Sequence, residues 1–137
     1  MQLVVATMRT RSGSHSIEIS IAPRSNNGSP ARARVSVSVG GFRGLNSAVS
    51  FTAGRLAAFA KQLATLEGGE VNRAQLVGED PTLFALTIEV LKPAGIQVRG
   101  HLAASEGPGA EVQMEFRFPV ERDALARLLR DLTSGIA

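Results

Sequence analysis

The chain has 137 residues, of which 44% are hydrophobic and 20% charged; this is the profile of one soluble globular domain and excludes a disordered, collagenous or membrane-spanning chain. It has no cysteine, which removes disulfides, thiolate nucleophiles and cysteine-ligated zinc. The formal charge of +3 hides an asymmetry: residues 1–60 carry seven arginines against the single acid Glu18, whereas residues 61–137 carry eight bases and eleven acids. Such a chain presents a basic side to one kind of partner and an acidic side to another.

In chain order, the run Leu3-Val4-Val5-Ala6 is too short for the apolar region of a signal peptide, and residues 2–8 read as a weak strand candidate. Clean period-2 alternation starts where Ile17, Ile19 and Ile21 interleave with Ser16, Glu18 and Ser20. The polar stretch between Pro23 and Pro30, with its Asn27-Gly28-Ser29 triplet, reads as a loop. Ala33, Val35, Val37 and Val39 then alternate with Arg32, Arg34, Ser36 and Ser38. The cluster Gly40-Gly41-Phe42-Arg43-Gly44 is not followed by a helix, as a phosphate loop requires, and reads as a bulge or tight turn in which Phe42 plugs the sheet edge. A weak strand candidate at 46–51 follows.

Spacing switches to helical after Thr52, a plausible N-cap: Leu56, Phe59, Ala60, Leu63 and Leu66 form one stripe, and Gly68-Gly69 stops a helix of about 52–67. A weak strand candidate at 73–77 precedes three alternating segments. Phe84, Leu86, Ile88 and Val90 lead, then Ile96, Val98 and Leu102, then Val112, Met114, Phe116 and Phe118. Short turns at 92–95 and 105–109 make these three an antiparallel meander. Leu125, Leu128, Leu129 and Leu132 place a second helix at about 121–133, with Gly135 closing it.

The expected fold is α+β, an antiparallel, meander-rich sheet packed on one side by the two helices, with its polar face open. One domain over 1–137 is expected, with no linker, no targeting segment and no internal repeat, located in the cytoplasm. Edge strands at 2–8 or 96–102 would allow a homodimer.

Catalytic chemistry has thin support. His15 sits in a Ser/Gly loop and His101 on an outward strand position, and neither belongs to a His-x₃-His, acid-histidine or Gly-x-Ser-x-Gly arrangement. Neither a metal nor a cofactor is expected, and the protein is read as a non-enzyme. Glu89, Arg99, Glu115 and Arg117 read as a cross-strand ladder of opposite charges. Arg24, Arg32, Arg34 and Arg43 make a basic strip, but the chain has no Tyr or Trp, and Phe59, Phe84, Phe116 and Phe118 occupy core-facing positions. Little is left to stack on bases, so nucleic acid is the weaker use of these arginines, and a protein partner the stronger.

The strand Val35-Ser36-Val37-Ser38-Val39 running into Gly40-Gly41-Phe42-Arg43-Gly44, then Ala48-Val49-Ser50-Phe51, the Leu56, Phe59, Leu63, Leu66 stripe and Gly69, resembles the WapI-type immunity proteins. The resemblance continues through Ala74-x-Leu76, the strand Leu83 to Val90, and Gly95-x-x-Val98-x-Gly100-x-Leu102 to the last strand and helix. It implies a small cytoplasmic antidote that binds and blocks a cognate toxin. Arg55 departs from the pattern, standing where relatives are expected to carry an acid. The expected partner-binding residues are Arg32, Arg34, Arg43, Arg99, His101 and Arg117, on one open face. The alternative is a small ligand-binding or regulatory α+β domain, with a pocket between sheet and helices.

Overall fold

The computed structural model describes residues 4–22, 31–91, 95–105 and 111–136. The loops read at 24–30, 92–94 and 106–109 lie outside the described residues. The elements in chain order are β1 (Val4–Arg9), β2 (His15–Ile21), β3 (Ala31–Val39), β4 (Phe42–Phe51), α1 (Ala53–Glu67), β5 (Arg73–Val77), β6 (Phe84–Leu91), β7 (Gly95–Ser105), β8 (Glu111–Val120) and α2 (Arg122–Ile136). The α+β class and the antiparallel meanders are as expected, but the strands divide into two four-stranded sheets, β1-β2-β3-β4 and β5-β6-β7-β8. The division falls at α1, which carries the chain away from β4 to pack beside β5.

The expectation that the chain holds no internal repeat is overturned at the level of structure, since a four-stranded meander and a helix occur twice in succession. Alternation explains each sheet. Ala6 and Met8, Ile17 to Ile21, Ala31 to Val37, Val49 and Phe51 point inward from the first sheet; Ala74, Leu76, Phe84 to Ile88, Ile96 to Leu102 and Phe116 to Val120 do so from the second. The helical stripes of Leu56, Phe59, Leu63 and Leu66 and of Ala124, Leu125, Leu128 and Leu132 join the same core. Each fully buried large side chain among these contributes about 1.5–3 kcal/mol.

The sheets touch directly through β3 and β4 on one side and β7 and β8 on the other, while β1 meets α2, β5 meets α1 and the helices meet each other. β4 crosses the second sheet transversely: Phe51 packs edge-on against Phe84 of β6, Asn46 donates to the Ala103 carbonyl of β7, and Gly44 lies against Met114 of β8.

Several local expectations are refined. α1 starts after Thr52, whose Oγ1 accepts from the Arg55 N–H at 3.1 Å, and ends at Gly68 and Gly69, the latter at φ +82°. α2 continues past Gly135 to Ile136. Gly40-Gly41 is a two-residue hairpin turn, with positive φ at Gly40 as a type II′ turn requires, so β4 begins at Phe42 rather than near 46. Phe42 does not plug an edge; it is 77% exposed.

Candidate functional site

The register fixes the outer face of the first sheet row by row. Val5, Ser20 and Arg34 lie side by side, as do Thr7, Glu18, Ser36 and Leu45, then Arg9, Ser16, Ser38 and Arg43, and Arg32 stands opposite Ser50. An extra residue of β4 at Ser47–Ala48 faces Arg34, because the register shifts between Ala33 and Val35. Arg9, Arg32, Arg34 and Arg43 are all exposed around the one carboxylate of Glu18. Among the described residues the two ion pairs are Arg11 with Asp123 and Arg73 with Glu89, neither of which involves these arginines. Short serines leave the guanidinium groups standing proud, and half-exposed Val5 and Leu45 supply apolar surface between them.

The outer face of the second sheet is built differently. Arg73, Glu89, Gln97 and Pro119 form one row; Gln75, Thr87, Arg99 and Arg117 the next; Val77, Ala85, His101 and Glu115 the third. Arg99 therefore stands directly opposite Arg117, and the expected ladder of opposite charges is not formed. The sequence pattern placed all four residues on one face correctly, but register decides who faces whom. Like charges directly opposite each other are unfavourable. Among the described residues the one ion pair on this face is Arg73 with Glu89, at 3.5 Å.

The six residues expected to act together thus fall into two groups. Arg32, Arg34 and Arg43 share the first outer face with Arg9, which was not among the expected residues. Arg99, His101 and Arg117 share the second.

Both histidines hydrogen-bond to backbone groups. Nδ1 of His15 accepts from the Gly40 N–H at 3.2 Å and its ring lies 5.7 Å from that of Phe118, so it ties the first sheet to the second. His101 faces Glu115 in the register but donates from Nε2 to the Pro81 carbonyl at 2.7 Å. The Asp80 carboxylate is held below its usual range by the Thr82 hydroxyl and then the Thr82 N–H, which makes it the anchor of the turn before β6. Among the described residues no group of three or more His, Asp or Glu side chains is placed to hold a metal ion, and no helix is long and apolar enough to cross a membrane.

A cleft of about 400 Å³ lies between the β1–β2 hairpin and the end of β8, lined by hydroxyl-bearing Thr10, Ser12 and Ser14 with His15 above Pro119, Val120 and Glu121. It does not lie between sheet and helices, where a ligand-binding reading anticipates a pocket; among the described residues that region holds the buried leucines and phenylalanines.

Arg55 donates from Nη1 to the carbonyls of Val77 and Gly78 at 3.1 and 2.8 Å and so fastens α1 to the end of β5. A carboxylate there could only accept and would repel both oxygens. Sequence reasoning also passed over Gln62 and Asp131, each the tenth residue of its helix, whose side-chain oxygens accept the N–H groups of Gln75 and Thr7. The signal was a polar residue just before a core leucine, Leu63 in one helix and Leu132 in the other.

The model of the WapI-like immunity protein family matches residues 8–137, nearly the whole chain. No curated protein matches it.

Proposed function

This chain belongs to the WapI-like immunity protein family, and from that premise we propose that it is a non-enzymatic, cytoplasmic antidote that binds a cognate toxin and covers its working surface. The family match over residues 8–137 carries the reading. Within it, the outer face of the first sheet is the toxin-binding face, and Arg32, Arg34 and Arg43, with Arg9, are its anchors. Arginine is enriched among the residues that dominate interface energetics, and four guanidinium groups around one carboxylate suit an acidic toxin surface. Four strands spaced about 4.8 Å apart and some seven residues long make a plane of roughly 20 by 20 Å, about half of what a standard interface buries per partner. Contact therefore extends beyond the strands onto the neighbouring β3–β4 hairpin, at Arg43.

The test is co-expression with the effector domain encoded beside this gene. The unaltered protein is expected to restore growth, and Arg32→Glu with Arg34→Glu to abolish the rescue while the protein stays folded. Full rescue by that double variant would remove the face assignment, and failure of the unaltered chain to rescue would remove the antidote reading.

A further inference from the structure

Two sheets have four outer edges, of which two are closed by helices and a third is closed in part. The β1 edge is closed by α2, where Asp131 accepts the Thr7 N–H at 3.2 Å. The β5 edge is closed by α1, through Gln62 on the Gln75 N–H at 2.9 Å and Arg55 on the Val77 carbonyl. The β4 edge is covered over its second half, where the Glu79 N–H donates to the Ser50 carbonyl and Asn46 folds back to accept the Ala48 N–H. The fourth edge is β8. Among the described residues no hydrogen bond reaches the backbone of 113–119 except from β7. The strands at 2–8 and 96–102, expected as edges for a second copy, do not serve: β1 is sealed and β7 lies inside its sheet between β6 and β8.

Pro119 settles which groups are free. It has no N–H, so its pairing with Gln97 is at a non-hydrogen-bonded position of the ladder. Even-numbered residues of β8 then bond to β7, and the N–H and carbonyl groups of Gln113, Glu115 and Arg117 point out along the open edge. Their side chains lie on the outer face.

We infer that β8 is the self-association edge of this protein, pairing antiparallel with β8 of a second copy on a two-fold axis at Phe116. That register puts Glu115 directly opposite the second copy's Arg117, and Arg117 opposite its Glu115, both at hydrogen-bonded positions. Shifting the axis by one residue sets Glu115 or Arg117 against itself, so charge selects the register. It also answers an unfavourable feature of the free chain: Arg117, flanked by Arg99 on one side, gains a carboxylate on the other. On the inner face the register sets Val112, 55% exposed in the free chain, opposite the second copy's Val120, beyond a Gln113–Pro119 crossing where Pro119 has no N–H to give.

The inference stands independently of the toxin reading and uses the protein alone. Sedimentation of the full chain at high micromolar concentration is expected to give a dimer. Glu115→Arg and Arg117→Glu, each of which sets like charges across the axis, are expected to sediment as monomers with unchanged circular dichroism. Mixing the two variants restores opposite charges at both crossings and is expected to restore the dimer. The chain carrying both substitutions is expected to dimerise as well. A monomeric unaltered chain, or single variants that stay dimeric, would overturn the inference. So would an edge whose Glu115 and Arg117 amides gain hydrogen-exchange protection only when the toxin is added, which would assign β8 to the toxin.

Discussion

The two halves of the molecule solve one problem in the same way and then diverge. In each, a helix leaving the fourth strand crosses to the other half and lays a side-chain oxygen on the first-strand edge, Gln62 on β5 and Asp131 on β1. They differ at the last strand and on the outer face. β4 is bulged, partly sealed and backed by a face of arginines and serines; β8 is straight, open and backed by charges of both signs. What the halves share is therefore the closure of the core, and what differs is what each offers to a partner. A fold built twice leaves one copy of each surface free to specialise.

The largest effect should come from exchanging the small and large partners that the halves place in opposite order. In the first sheet Val37 faces Gly44, and in the second Gly100 faces Phe116. A methyl group at Gly100 would collide with the Ala85 carbonyl oxygen and stand 2.9 Å from Cζ of Phe116. Gly100→Ala is expected to cost about 3 kcal/mol in urea unfolding, through overpacking against backbone. At Gly44 the nearest atom to such a methyl is the Met114 sulfur at 2.8 Å. This is the end of an adaptable side chain, so Gly44→Ala should cost only about 1 kcal/mol. Equal losses would mean that the halves pack alike.

The shared closure can be broken next. Asp131→Ala leaves the partly buried Thr7 N–H without its acceptor and is expected to cost about 1–2 kcal/mol, with Asp131→Asn recovering most of it. Gln62→Ala exposes the Gln75 N–H to water and should cost less than about 1 kcal/mol. Thermal unfolding of the three variants checks the order, and hydrogen exchange at Thr7 and Gln75 checks that the loss is local to each edge.

The smallest effect is expected at Asp80. Its carboxyl is held below the ordinary value of 3.8 by Thr82, so its contribution is complete at neutral pH and is lost as pH falls through the lowered folded-state value. Asp80→Asn should lower the melting temperature slightly at pH 7, and the difference from the unaltered chain should vanish in strong acid. A gap that widens in acid would contradict the assignment.

Much of the fold was legible in the sequence because each strand buries one side only. The alternations at 17–21, 33–39, 84–90 and 112–118 returned most inward and outward residues, the departures being Val112, which is exposed, and Thr87, which is buried, and the leucine stripes returned both helices. Alternation reports which side is buried and is silent about which strand lies alongside, so the split into two sheets was not legible. The repeat was hidden for a related reason: equivalent positions share only polarity, as Met8 with Leu76 or Phe59 with Leu128, and not residue type. The same limit governs the candidate site. All six expected residues lie on outer faces, five of them as parity required and Arg43 on a strand that begins earlier than expected, yet they occupy two faces, since parity does not distinguish one outer face from another. Arg9 was missed because the alternation of β1 is too short to stand out.

The central claim is that the arginine face of the first sheet, and not the mixed face of the second, engages the toxin. Its most direct test is the affinity of the purified toxin domain for two variants, Arg32→Glu with Arg34→Glu on one face and Arg99→Glu on the other. The account predicts a loss of about 100-fold or more for the first, in line with charge pairs at the centre of an interface, and a change within about threefold for the second. Equal losses from both variants, or a loss from Arg99→Glu alone, would contradict it.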